Sequence, residues 1–220
     1  MLPLVKNFRK IDMRLLQLLR SAILEQASGN VKPGVEELFK SNQELASIGT
    51  PEEYSKYLDT IFPQSKVKDV LYHGTKEQFD KFDLGTLGKN TNNKYKAIFL
   101  TPDIKLATSY GKRLISALAN IKGEVNLNSV KQAIVKDSKL AKNNLEEFNK
   151  LTIDEIEEFL ESEKNDVGGK RLEDYLKQTG VTGMQLENKV VVVFDPAQIH
   201  LLGSKEDIEG FKKFLENSKK

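Results

Sequence analysis

The chain has 220 residues, enough to bury one sizeable core with a helical flank besides. Its 39% hydrophobic and 30% charged residues place it with soluble globular proteins, and a net charge of +2 makes the whole chain no obvious polyanion binder. The absence of cysteine excludes disulfides, thiolate catalysis and zinc–thiolate sites, and two histidines without an HExxH pattern leave little for a transition-metal site.

The N-terminus carries Lys6, Arg9 and Lys10 ahead of an apolar segment. Arg14, Gln17 and Arg20 interrupt that segment at helical spacing and no small-residue cleavage pattern follows, so it reads as an amphipathic helix of a cytoplasmic protein. Ile11, Leu15, Leu18, Leu19 and Ile23 line one face of this helix over residues 11–27, and Gly29 and Asn30 end it. A second helix is expected over 35–47, with Val35, Leu38 and Leu45 inward and a stop at Gly49. Thr50-Pro51-Glu52-Glu53 combines an N-cap, a proline at the first helical position and a glutamate three residues after the cap. The helix it starts ends before Pro63, and the three together predict an N-terminal helical extension over residues 1–65.

From Val67 the pattern changes to strands. One apolar run, Val67, Val70, Leu71 and Tyr72, leads to His73-Gly74-Thr75; another, Ala97-Ile98-Phe99-Leu100-Thr101, stops at Pro102-Asp103 before a helix carrying Ala107 and Tyr110. Two strand ends, one delivering a histidine and a glycine and the other leading to a tyrosine, read as the walls of a cleft. Phe79 and Phe82 read as core anchors of a loop, and residues 84–95 as a mobile loop over the site. The segment from Arg113 to Ile121 fits strand or helix, with strand preferred because Gly111 ends the preceding helix. Residues 129–179 are helical, with a second capping box at Thr152-Ile153-Asp154-Glu155. A strand is expected from Val181 to Leu186, and the run Val190-Val191-Val192-Val193-Phe194 predicts a central buried strand. Gln198 to Leu202 forms another short strand, and Gly203-Ser204 opens a final helix with Ile208, Phe211 and Leu215 on its apolar face.

Charge is unevenly spread. Residues 66–125 hold eleven Lys/Arg against six Asp/Glu, whereas 136–177 hold eight against twelve. The half with the cleft is thus the basic half, as a phosphate-bearing ligand favours, although a solvated lysine-rich surface gives the same count. His73 at a strand end can donate to a ribose hydroxyl, and Gly74 lets the backbone approach a ligand amide; a partly exposed histidine without a role is the plain alternative. Tyr110 can stack on a flat aromatic ligand beside the small Ala107, against the alternative of a core tyrosine. The Gln198 amide can orient a hydroxyl, but surface glutamines are common. No glycine-rich phosphate loop, GxSxG element or paired acid and base is present, which argues against a Rossmann or P-loop enzyme and a hydrolase triad.

Taken together, Leu71-Tyr72-His73-Gly74-Thr75, Phe79-x-x-Phe82, Ala97-Ile98-Phe99-Leu100-Thr101 with Ala107-x-x-Tyr110, and Val192-Val193-Phe194-Asp195-Pro196-x-Gln198-Ile199 resemble the ADP-ribosyltransferase superfamily. The resemblance covers roughly residues 66–203. It is closest to the histidine-containing branch of the poly(ADP-ribose) polymerases and diphtheria toxin, and within it to the small bacterial and phage domains of polyvalent proteins. It implies an α+β fold, a split β-sheet core with flanking helices, over residues 66–220, with a helical insertion at about 129–179. It implies NAD as substrate, no metal, and transfer of a single ADP-ribose to a macromolecular acceptor, protein in preference to nucleic acid. By this resemblance His73 binds the adenosine-side ribose, Gly74 holds the nicotinamide amide, and Tyr110 stacks on the nicotinamide ring. Thr75, Phe99 and Ala107 complete the NAD-binding set. Two positions depart from the family. Its second signature tyrosine aligns with Phe99, and its glutamate falls on Val190, an aliphatic position as in mono-transferases. The acceptor then supplies its own base, or Gln198, and after it Glu187, takes the role after a shift in register. A transferase fold reduced to an NAD- or ADP-ribose-binding module is the alternative. The N-terminal helices are available to recognise the target or a partner chain, and the expected setting is the cytoplasm of a bacterial or phage-infected cell, or a virion.

Overall fold

The computed structural model describes residues 31–77, 79, 81–83, 85, 97–186 and 189–218. The expected helix over 11–27, nearly all of the loop over 84–95, and Glu187 lie outside the described residues.

Helices α1 (Val35–Ser41), α2 (Gln43–Ile48) and α3 (Pro51–Ile61) come first. The single helix expected over 35–47 is two, because Asn42 sits extended between them. Its side-chain oxygen accepts the Leu45 N–H at 3.2 Å and starts α2, the local competition that asparagine offers a helix. Thr50 and Glu53 form the expected reciprocal cap of α3. Then follow β1 (Leu71–Thr75), β2 (Ile98–Leu100), α4 (Ile104–Tyr110) and β3 (Arg113–Ala119). Strand is thus the outcome for the segment after Gly111. The region 127–178 holds α5 (Leu127–Asp137), α6 (Lys139–Asn143), α7 (Leu145–Phe148), α8 (Ile153–Ser162) and α9 (Leu172–Gln178). Strands β4 (Gly183–Gln185), β5 (Val191–Val193) and β6 (Ile199–Leu201) precede the last helix, α10 (Lys205–Ser218). Gln198 belongs not to β6 but to a short 3-10 turn, Pro196–Gln198, whose start the Asp195 carboxylate caps by accepting the Ala197 N–H at 2.8 Å.

The strands form two antiparallel three-stranded sheets, ordered β1-β3-β6 and β2-β5-β4. The valine strand β5 is central in the second sheet, as its unbroken apolar run requires. Alternation along each strand sends side chains to two different cores. Leu71, Ala117 and Ala119 of the first sheet pack against Ile98, Leu100, Val191 and Val193 of the second. On the outer face of the first sheet, Tyr72, Leu118 and Leu202 join Leu45, Tyr54, Leu58 and Phe211 from α2, α3 and α10. On the outer face of the second, Val192 and Phe194 join Ile134, Ile156 and Tyr175 from the α5–α9 region. The result is an α+β arrangement of helices, sheet, sheet and helices, with the split between the two sheets at its centre. No helix among the described residues is long and apolar enough to cross a membrane.

Candidate active site

Among the described residues one isolated β-bridge joins β1 to the second sheet. Tyr72 of β1 and Thr101, just past β2, form an isolated antiparallel bridge, Tyr72 N–H donating to Thr101 O at 2.7 Å and Thr101 N–H to Tyr72 O at 3.0 Å. Had the ladder continued, the next bonded pair would be Gly74 with Phe99. Instead the strands part, and the His73 ring stands in the gap with Nδ1 2.9 Å from the Phe99 carbonyl oxygen. The histidine takes the acceptor that a continuous sheet would have given to the Gly74 N–H.

Gly74 is left in an unusual position. In the β1–β3 ladder His73 is opposite Ile115 and Gly74 opposite Leu114. The Ser116 carbonyl accepts from the Leu202 N–H on the β6 side, so by alternation Leu114 also turns its polar groups towards β6. The N–H and C=O of Gly74 therefore point away from β3 and into the split, one donor and one acceptor side by side. Helix α4 lies on the other side of the same residue: a Cβ on Gly74 would come 1.6 Å from the Ala107 carbonyl oxygen. One on Gly111 would come 2.2 Å from the Thr75 carbonyl group. These close approaches of backbone to backbone seat α4 on Gly74 and Thr75, with Ala107 buried beneath it. Tyr110, in the last turn of α4, is 65% exposed. It is no core residue.

The chemistry of His73 follows from its surroundings. Phe82 stands edge-on to its ring at 5.1 Å between centroids, with Phe79 at 6.2 Å. Burial lowers its pKa below the ordinary histidine value, and the hydrogen bond to Phe99 offsets this only in part. A neutral imidazole results at neutral pH. Since a carbonyl has no proton to give, the proton is on Nδ1 and Nε2 carries the lone pair. In this tautomer the ring nitrogen left over, Nε2, is an acceptor, whereas the sequence-based expectation is of a donor.

His73, Gly74, Thr75, Ala107 and Tyr110 are thus brought together. Phe99 joins them through its carbonyl, while its ring lies on the other face of β2 and packs against the helical core beyond it. Gln198 is not brought to this place. Its carbonyl accepts from the Asn120 N–H at 2.8 Å, five residues along β3 from the Ile115 that faces His73, or about 17 Å of strand. Its side-chain oxygen accepts from Asn120 Nδ2 at 2.9 Å. Val190 lies in the β4–β5 hairpin, next to the Val191 that pairs with Leu100, and its carbonyl accepts from the Leu186 N–H at 2.8 Å. The feature that sequence reasoning missed is the Phe99 carbonyl, which no residue type announces. The second histidine, His200, is engaged elsewhere: its Nε2 is 2.8 Å from Asp207 Oδ1 in the first sheet's outer core. Among the described residues no group of His, Asp or Glu is arranged to hold a metal ion.

Comparison with known proteins adds one finding. The sequence pattern of a family described as ADP-ribosyltransferase in polyvalent proteins matches residues 68–213. No curated protein and no solved structure matches the chain. The family match runs through both sheets, the split and the helical layer between β3 and β4, well over half of the sequence; the chain belongs to the ADP-ribosyltransferase family of polyvalent proteins.

Proposed function

We propose that this chain is an NAD-dependent mono-ADP-ribosyltransferase acting on a macromolecular acceptor, and that the reaction takes place at the split between the sheets. The observation that carries the reading is the parting of β1 and β2 at His73. It leaves a paired donor and acceptor on the Gly74 backbone, the complement of a carboxamide such as that of nicotinamide. Tyr110, exposed on the helix that seats against Gly74, offers a ring for the pyridinium face, and the His73 Nε2 lone pair accepts from a ribose hydroxyl. In the reaction the bond between the nicotinamide nitrogen and the ribose anomeric carbon breaks. Nicotinamide leaves neutral with the bonding electrons, and an acceptor nucleophile bonds to the same carbon and gives up its proton. These residues hold the dinucleotide bent and oriented, so that the positive charge developing on the ribose is formed in a fixed polar setting.

Val190, where the family resemblance calls for a glutamate, carries no carboxylate, and Gln198 lies far along β3. This supports transfer of one ADP-ribose rather than chain elongation, with the base supplied by the acceptor or by Glu187. A protein acceptor, and a setting in the cytoplasm of a phage-infected or mobile-element-bearing bacterium, accord with the family. The same departure at Val190 favours a second reading, a module that binds NAD or ADP-ribose without turnover. Incubation with labelled NAD and a bacterial lysate, followed by separation of protein, DNA and RNA, decides between them. Label in the protein fraction with wild-type chain and none with His73→Ala is the expected result. No label and no nicotinamide release, with NAD binding retained in calorimetry, would leave the binding module.

A further inference from the structure

The inward face of the first sheet is apolar along most of its length, through Leu71, Ala117 and Ala119, with Ile115, Ile199 and Leu201 packed against them. At one end this changes. His73 and Thr75 on β1 stand opposite Ile115 and Arg113 on β3, so Arg113 occupies the same face, one diagonal step from His73. Diagonal neighbours in a sheet are about 7–8 Å apart at Cα, well within reach of an arginine side chain. Arg113 is exposed, and no ion pair joins it to a carboxylate among the described residues. Thr75 Oγ1 accepts the Glu77 N–H at 3.1 Å, which orients the hydroxyl and leaves its own proton to give. Lys76 and Lys112, the next residues along each strand, are exposed as well. Against these three cations stands Glu77; Asp103 is occupied in capping α4, accepting from Lys105 N–H at 2.8 Å and Leu106 N–H at 3.3 Å.

We propose that Arg113 and Thr75 form a diphosphate-binding site beside His73, Arg113 taking two phosphate oxygens through its forked N–H groups and Thr75 donating its hydroxyl to a third. The proposal rests on the NAD reading above for the identity of the ligand, since the diphosphate of NAD or ADP-ribose links a nucleoside held at His73 to a second ribose in the split. A planar guanidinium suits paired phosphate oxygens better than an ammonium does, which accounts for an arginine without an ion pair among the described residues at the polar end of this face.

Calorimetry of the full chain and of R113Q and R113K against NAD, ADP-ribose, inorganic pyrophosphate and nicotinamide tests it. R113Q is expected to weaken NAD, ADP-ribose and pyrophosphate by 10-fold or more (roughly the range of hydrogen bonds to charged groups) while nicotinamide binds as before, and R113K to restore part of the loss. Unchanged ADP-ribose affinity in R113Q, or an equal loss for nicotinamide, would overturn the site. Pyrophosphate binding that depends on Arg113, without any binding of nicotinamide or NAD, would uphold the anion site and overturn the NAD reading. Wild-type chain that binds none of the four overturns both.

Discussion

At the residue scale the protein is organised by where His73 puts its protons. With Nδ1–H committed to the Phe99 carbonyl and burial lowering its pKa, the ring offers an acceptor at Nε2 until it is protonated. The sign of the pH dependence follows. The unfolded chain takes up a proton near the ordinary value of about 6.5, the folded chain only at lower pH, so acid favours unfolding. Stability contributed by the neutral ring is fully present above about 6.5 and falls as pH drops through the window down to the lowered folded value. NAD affinity is expected to stay flat from alkaline pH down through that window, where the folded ring is still neutral, and to fall only as pH drops through and below the lowered folded value, because protonated Nε2 no longer accepts. Calorimetry from neutral pH down past that value, with His73→Ala as the flat reference, measures it. For Tyr110, Tyr110→Ala is expected to weaken NAD binding up to about 10-fold and Tyr110→Phe by less than about 3-fold, since aromatic stacking is worth roughly 0.5–1.5 kcal/mol and survives loss of the hydroxyl. Equal losses in the two variants would show that the hydroxyl and not the ring matters. Both residues stood out in the sequence by type and setting. The direction of the His73 hydrogen bond did not, because its partner is a backbone carbonyl some 26 residues away.

Among the elements, the site depends on how closely α4 rides on β1. Gly74 is required twice over: its backbone faces the split, and the position of its missing Cβ is filled by the Ala107 carbonyl. Gly74→Ala is expected to push α4 outward at a cost of about 3 kcal/mol, the upper part of the range for overpacking, since the obstructing atom is backbone and cannot rotate aside. Urea denaturation reads the loss, and NAD affinity should fall with it as Tyr110 moves. A stable Gly74→Ala chain with wild-type affinity would show that the contact between α4 and β1 is not what positions the tyrosine. Element boundaries were legible where local chemistry announces them. The Thr50 and Thr152 caps, with Glu53 and Glu155 reaching back, start α3 and α8 where expected. They were less legible where tertiary pairing decides. β1 begins only at Leu71 although the apolar run starts at Val67, because its pairing with β3 begins there, Leu71 opposite Ala117, and register with a distant strand is not written in the local pattern. The break at Asn42 is not legible in the sequence, because asparagine competes with a helix through its side chain only where that side chain reaches a neighbouring N–H, as it does here with Leu45.

On the scale of the whole molecule, one buried carboxylate ties the helices before the first sheet to the helix after it. Asp207 Oδ2 accepts from Tyr54 Oη at 2.5 Å and from the Gly203 N–H at 2.8 Å, while Oδ1 faces His200 Nε2 at 2.8 Å. Burial, with the neighbouring carboxylate, drives the Tyr54 phenol far above its usual pKa, so the tyrosine remains a donor across the range in which proteins fold. Asp207→Ala leaves the buried Tyr54 hydroxyl and the half-buried Gly203 N–H and His200 ring without their acceptor, and is expected to cost about 3 kcal/mol in a thermal or urea melt. Nicotinamide affinity below the transition should be retained, because His200 lies on β6, two strands away from β1. By itself the sequence determined the helix caps, the central valine strand, the α+β class and the histidine, glycine and tyrosine that carry the family resemblance. Each of these is fixed by residue type and short-range spacing. Only the tertiary structure decided that the two sheets part after a single bridge, that Gly74 turns its N–H and C=O into the opening, that Arg113 shares a face with His73, and that Gln198 lies about 17 Å of strand away. Those outcomes depend on register between strands distant in sequence, and a shift of one residue would exchange every inward side chain for an outward one.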